Sequence, residues 1–142
     1  KMSDKEKFEG FKQKMMDENE KLYGKEIREK YGEDNVENSY RKFKNMTKEQ
    51  YDEAVRLENE MLETLEAAFK TGDPAGELAQ KAADLHRRWL CCYWDNYTKE
   101  AHAVVAQMYV DDARFTIYYD KKQPGLAAFL RDAVYVYTGM GK

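Results

Sequence analysis

The run Trp89-Leu-Cys-Cys-Tyr-Trp-Asp-Asn-Tyr97 sets four aromatic residues into nine positions. Tyrosine and tryptophan join a broad flat apolar surface to a polar handle, which suits them to hold flat aromatic or heterocyclic molecules. Of the chain's 11 Tyr, 6 Phe and 2 Trp, 11 lie between Trp89 and Tyr137. Helical residues follow one another at about 100°, so Trp89, Tyr93 and Tyr97 share a face if one helix runs through them, while Trp94 looks elsewhere. Aromatic stripes at this spacing also build cores, and the spacing alone leaves both uses open.

The other chemically capable residues are few. His86 and His102 are the only histidines. His86, beside Arg87 and Arg88, fits a helix-surface position; His102 precedes a valine-rich face and points toward Tyr109. Cys91 and Cys92 are adjacent, which denies them unstrained disulfide geometry, and they lack the C-x-x-C spacing that brings two thiolates onto zinc. They read as small apolar packing residues in a reducing cytosol. Either could act as a nucleophile only with a lowered pKa and a neighbouring base, and Arg87 and Arg88 one turn upstream give slight help. No Ser-His-Asp order, H-E-x-x-H or glycine-rich phosphate loop occurs. The closing Thr138-Gly-Met-Gly-Lys142 lacks the earlier glycine and preceding strand of a phosphate loop and reads as a fraying terminus. The chemistry favours binding over catalysis.

These residues must be positioned by helices. Thr47-Lys-Glu-Gln50 is a capping-box signature that opens a helix to about Lys70. Its apolar face is Tyr51, Ala54, Val55, Met61, Leu62, Leu65, Ala68 and Phe69. Glu58 falls on that stripe, either partly exposed, paired, or facing a pocket. Gly72-Asp73-Pro74 ends this helix and starts the next, with Asp73 as N-cap and Pro74 at the first helical position. Leu78, Ala82, Leu85, Trp89 and Cys92 then run along one face. Thr98 caps a helix holding Ala101, Val104, Val105 and Met108; Asp111 or Asp112 caps a short one through Tyr119. Gln123-Pro124 opens the last, with Leu126, Phe129, Leu130, Ala133, Val134 and Tyr137 on its apolar face. With no alternating strands and no hairpin dipeptides, the fold class is all-α, of five to seven helices.

Residues 1–44 differ in composition from residues 45–142. About every second residue is charged and apolar ones are thin, with Phe8, Phe11 and Met15 on one narrow stripe. Tyr23-Gly24 and Tyr31-Gly32 read as helix ends. Such a segment has little burial to offset its conformational entropy and by itself can fray. Over the whole chain 24 basic residues meet 27 acidic ones, a net charge of −3, with pI near 5.5. That balance lacks the clustered positive charge of a duplex-binding surface. No 18-residue apolar run and no signal-peptide pattern occurs, so the expectation is a soluble cytoplasmic protein with no membrane association.

One stretch carries a family pattern: Met108-Tyr-Val-Asp-Asp-Ala-Arg-Phe-Thr-Ile-Tyr-Tyr-Asp120, then Pro124-Gly-Leu-Ala-Ala-Phe-Leu-Arg-Asp-Ala133. It resembles the TipA-S-type antibiotic-recognition domain, the effector-binding part of MerR-class drug-sensing regulators. The likeness extends more loosely through His86-Arg-Arg-Trp89 to Tyr31-Gly-Glu33. The resemblance implies a globin-like arrangement and a small-molecule drug or peptide antibiotic as partner. DNA would be met only through an N-terminal domain absent from this chain, which is then an excised or stand-alone form. It also implies a dimer in the full-length regulator and a monomer in isolation. A globin-like fold with two histidines raises heme, but neither histidine is placed to ligate iron, and no cofactor or metal is expected.

The resemblance implies a cleft lined by Trp89, Tyr93, Trp94, Tyr97, Tyr109, Phe115 and Tyr119, with His102, tyrosine hydroxyls and Glu58 orienting polar groups. Residues 1–44 would then close as a lid through Phe8, Phe11, Met15 and Leu22, an ordering that costs about 2–5 kcal/mol. The thiopeptide-binding member of the family captures its ligand by adding a thiol to a dehydroalanine. The thiol two residues after the histidine matching His102 is replaced here by Val104, and neither Cys91 nor Cys92 matches, so binding is expected to be reversible. Two other readings stand beside this one: a stand-alone drug-sequestering resistance protein, and a helical interaction or dimerisation module.

Overall fold

In the computed structural model, which describes residues 1–141, seven helices account for nearly the whole chain and no strand occurs among the described residues. They are α1 (Asp4–Tyr31), α2 (Glu33–Lys44), α3 (Lys48–Thr71), α4 (Glu77–Tyr93), α5 (Lys99–Asp111), α6 (Ala113–Asp120) and α7 (Leu126–Thr138). The all-α expectation holds, at its upper helix count. The helices form two compact units, Lys1–Asp52 with Tyr93–Asp95, and Glu53–Cys92 with Asn96–Lys142. No helix among the described residues is long and apolar enough to cross a membrane.

In the first unit, Ser3 and Glu6 form a reciprocal capping box at the start of α1. The helix runs unbroken through Gly24, where a stop is expected from sequence. Gly24 has no positive φ. A Cβ there would run into the Glu20 carboxylate, which reaches along the helix to Arg28. The true end is Gly32, at φ 88° and ψ 150°, a region open essentially to glycine alone. The chain folds back there, and Arg28 of α1 also pairs with Glu33 and Glu37 of α2. Farther along, the Lys12 ammonium donates to the carbonyls of Lys44 (2.6 Å) and Met46 (2.8 Å) and pairs with Glu9. Lys12 is only 2% exposed, and its position caps the C-terminus of α2. Phe8, Phe11 and Phe43 each meet the Tyr51 ring, and Phe43 also meets Tyr93. At the start of α3, Thr47 and Gln50 exchange the expected capping-box bonds.

The second unit is built on the buried stripe Ala54, Leu57, Met61, Leu65 and Ala68 of α3. Fully burying a side chain such as Met61 or Leu65 contributes about 1.5–3 kcal/mol. Asp73-Pro74 does not start α4. The Asp73 carboxylate instead accepts from the Ala75 amide, and Gly76 bonds back to the Asp73 carbonyl, so the helix begins later, at Glu77. Its buried residues are Ala79, Ala82, Ala83, Leu85, His86 and Leu90; Ala82 and Leu85 are buried as expected, but the face is rotated toward His86 and Leu78 is exposed. Thr98 caps α5 as expected, and Asp112 is the cap of α6. The last helix starts after Gly125, not at Gln123-Pro124. There the Asp120 carboxylate accepts from the Ala127 amide, satisfying a donor at the helix N-terminus. A glycine cap closes its end. Gly139, at φ 72°, bonds to Val136 O and Met140 to Tyr135 O, the paired bonds of a Schellman cap. Lys142, part of the terminal run read from sequence, lies outside the described residues.

Candidate ligand-binding site

His86 on α4 and His102 on α5 have no exposed surface. Placing His86 on a helix surface is therefore corrected, and the cause is the rotation of α4 that exposes Leu78. The two rings lie edge to edge and nearly coplanar, with centroids 5.0 Å apart and 11° between planes, and His86 Nδ1 is 2.8 Å from His102 Nε2. His86 Nε2 lies 3.0 Å from the Tyr109 hydroxyl, and His102 Nδ1 lies 2.6 Å from the Tyr97 hydroxyl. All four ring nitrogens are engaged, so neither imidazole offers a free lone pair to an iron or other metal. No group of three or more potential metal ligands occurs among the described residues.

A neutral imidazole has one donor and one acceptor nitrogen. The four groups Tyr97–His102–His86–Tyr109 therefore form a chain with one direction at a time, and reversing one bond reverses all. Burial keeps both rings neutral: it lowers the His102 pKa to about 4, helped by the charge of Arg87, and it depresses His86 as well, helped by His102. At the half-exposed end, burial pushes the Tyr97 phenol up to about 12. Its hydroxyl thus stays protonated and able to donate at any physiological pH.

Around this chain the second unit gathers most of the aromatic residues named from sequence. Trp89 lies 5.6 Å from the His86 ring. Tyr109 contacts Phe115 at 5.7 Å and Tyr119 at 5.0 Å. His102, Tyr109 and Tyr119 are buried, whereas Trp89, Tyr97 and Phe115 are half-exposed. Glu58 is half-buried and accepts the Tyr118 hydroxyl bond at 3.0 Å. Tyr93 and Trp94 fall in the first unit, where Ser39 donates to the Tyr93 carbonyl and Lys42 to that of Trp94. Because α4 ends at Tyr93, the expected Trp89–Tyr93–Tyr97 face does not exist, and Tyr97 sits just before the cap of α5. Of the lid residues, Phe8 is half-buried, while Phe11, Met15 and Leu22 are exposed on α1.

Sequence reasoning missed Asp84 and Tyr137. The Asp84 carboxylate accepts from the Tyr137 hydroxyl (2.6 Å) and from Arg87, whose Nε also donates to Tyr137 at 2.7 Å. These two bonds hold the Asp84 carboxyl below its usual range, the tyrosine contributing most. The three-residue spacing of Asp84 and Arg87 on one helix was a usable signal. Nothing in the sequence brings Tyr137 of α7 to them.

The model of the TipAS antibiotic-recognition domain matches residues 23–137. The chain belongs to the TipAS family. Among its relatives, the HTH-type transcriptional activator TipA of Streptomyces coelicolor is 35% identical over 114 residues, covering 79% of this chain and 45% of TipA. The HTH-type transcriptional activator mta of Bacillus subtilis is 26% identical over 136 residues, covering 96% of this chain and 52% of mta. The chain thus spans about half the length of the curated relatives it matches. A solved TipAS structure from Streptomyces lividans, in complex with nosiheptide and described as part of a thiopeptide antibiotic multidrug resistance system, matches with TM-score 0.65 and 34% identity. That match covers 99% of this chain and 96% of the other. The family read from the Met108–Ala133 pattern is therefore confirmed, together with the all-α fold of TipAS.

Proposed function

We propose that this TipAS domain is the effector-binding part of a MerR-class transcriptional activator and binds an aromatic or peptide-type antibiotic reversibly. The observation that carries this reading is the similarity, along almost the whole chain, to a TipAS domain that holds nosiheptide. The half-exposed rings of Trp89, Tyr97 and Phe115 would supply stacking and apolar burial. Tyr97, backed by His102, would orient a polar group through its protonated hydroxyl, and Glu58 a second one. Tyr109 and Tyr119 would act from beneath, by fixing Phe115 and the histidine chain. The part played by Tyr93 and Trp94 is read from substitution of each alone.

Reversibility is supported by Val104, exposed on α5 at the position where the family resemblance places the capturing thiol. Residues 1–44 would respond to ligand as a lid through Phe8, Phe11, Met15 and Leu22. The exposed apolar side chains of α1 support that role, since ordering them against a ligand would gain burial they now lack. DNA binding, and the dimer that goes with it, would belong to the remainder of a longer regulator.

Titration of the domain with nosiheptide and a panel of planar aromatic antibiotics, followed by the emission of Trp89 and Trp94, tests the reading. Saturable quenching that reverses on dialysis is the expected result. No response across the panel in a folded monomeric sample would overturn it.

A further inference from the structure

We propose that His86 and Tyr109 are positioning residues for the ligand, acting through His102 to decide whether Tyr97 offers it a donor or an acceptor. The proposal rests on the antibiotic-binding reading and says how its ligand is selected by polarity. His86 and His102 are fully buried and Tyr109 is 4% exposed, so of these four groups only the half-exposed Tyr97 meets the surface. Three contacts join them in a row. The Tyr97 hydroxyl lies 2.6 Å from His102 Nδ1, His102 Nε2 lies 2.8 Å from His86 Nδ1, and His86 Nε2 lies 3.0 Å from the Tyr109 hydroxyl. Because the rings are tilted by only 11°, the two facing nitrogens point at each other in a common plane.

Burial keeps both rings neutral, so each carries one ring proton. Two bare nitrogens, or two N–H groups, cannot face each other at 2.8 Å. If His102 holds its proton on Nδ1, its Nε2 accepts, and His86 must hold its own on Nδ1 as well. Moving one proton to Nε2 forces the other to Nε2. The two histidines therefore share a tautomer. With both at Nδ1–H, His102 donates to the Tyr97 oxygen, and Tyr97 turns its proton away, toward an acceptor on the ligand such as an azole nitrogen or a carbonyl. With both at Nε2–H, Tyr97 donates inward and offers the ligand only lone pairs, the match for an N–H. The two directions make the same three bonds and lie close in energy. A ligand group at the Tyr97 hydroxyl thus fixes the whole chain, and the bond at Tyr109 changes sense with it. A ligand of the wrong polarity leaves a buried group unpaired, and that loss discriminates against it.

Nitrogen NMR of the full chain with isotopically labelled histidine reads the tautomers directly, because a ring nitrogen shifts strongly between its protonated and bare forms. Tyr97→Phe removes the partner of His102 Nδ1, and Tyr109→Phe removes that of His86 Nε2. A buried N–H without a partner is tolerated less well than a bare acceptor. Tyr97→Phe should therefore drive both rings to Nε2–H, and Tyr109→Phe both to Nδ1–H, each change reaching the ring one bond farther along. A merely structural role would alter the adjacent ring alone. In the free parent chain the signals should be averaged between the two forms, and saturating nosiheptide, the probe, should take both rings to one common tautomer. Rings in opposite tautomers, a response confined to the nearer ring in either variant, or bound nosiheptide with both rings unmoved would overturn the selection alone. A folded parent chain that does not bind nosiheptide would remove it together with the antibiotic-binding reading.

Discussion

Two imidazoles buried out of water and bonded to each other cannot both be charged, and that fixes how this domain responds to acid. Both histidines have folded-state pKa values depressed by burial, His102 to about 4. In the unfolded chain they return to about 6.5. Above pH 6.5 neither state takes up the protons and stability is complete. As pH falls from 6.5 toward 4 the unfolded chain binds protons that the folded one refuses. Stability then declines by about 1.4 kcal/mol per pH unit for each such group. Urea midpoints at pH 7.5 and 5.0 check this; equal midpoints would mean that the rings are not held neutral. His86→Phe keeps a flat ring but strands His102 Nε2 and removes one bond of the Tyr109 hydroxyl, and should cost on the order of 1–3 kcal/mol.

At the scale of elements, the pairing of α1 with α2 depends on a buried ammonium and one unusual backbone position. Lys12→Met retains the stem and removes the charge, leaving the Lys44 and Met46 carbonyls uncapped. The expected loss is on the order of 1–3 kcal/mol, visible as faster amide exchange in α1 and α2 with α5 and α7 unaffected. Uniform exchange across all helices would contradict a local cap. Gly32→Ala should cost a similar 1–3 kcal/mol, because φ 88° with ψ 150° suits no Cβ-bearing residue. The Phe8, Phe11 and Met15 stripe marked a helix in α1, but a lysine in the middle of a charged run gives no sign that it will be buried. Its burial follows from two carbonyls at the end of another helix, a partner that α1 does not encode.

At the scale of the molecule, removal of residues 1–20 should weaken antibiotic binding while leaving the second unit folded. Titration of the truncated chain against the parent reads this directly, and unchanged affinity would sink the lid. The isolated domain is also expected to elute as a monomer in size-exclusion chromatography with light scattering. A stable oligomer would instead favour the helical interaction module. Much of the candidate site was legible because aromatic residues concentrate between Trp89 and Tyr137, and the structure brings Trp89, Tyr97, His102, Tyr109, Phe115 and Tyr119 into one unit. What misled was the Trp89–Tyr93–Tyr97 face, since helical spacing holds only while the helix continues and α4 stops at Tyr93.

The sequence by itself determined the helical class, the caps at Thr47 and Thr98, a cap at Asp111 or Asp112, the stop at Gly32, and the family pattern from Met108 to Ala133. Each is a local property, written in residues within a few positions of one another, where backbone dihedrals and short-range hydrogen bonds decide the outcome. Tertiary structure alone decided that His86 is buried against His102, that Lys12 caps another helix, and that Tyr137 braces Asp84 and Arg87. Those contacts join residues 16, 32 and some 50 positions apart. Their partners are set by which helix faces meet, and a small rotation of one helix, as in α4, exchanges a surface residue for a buried one.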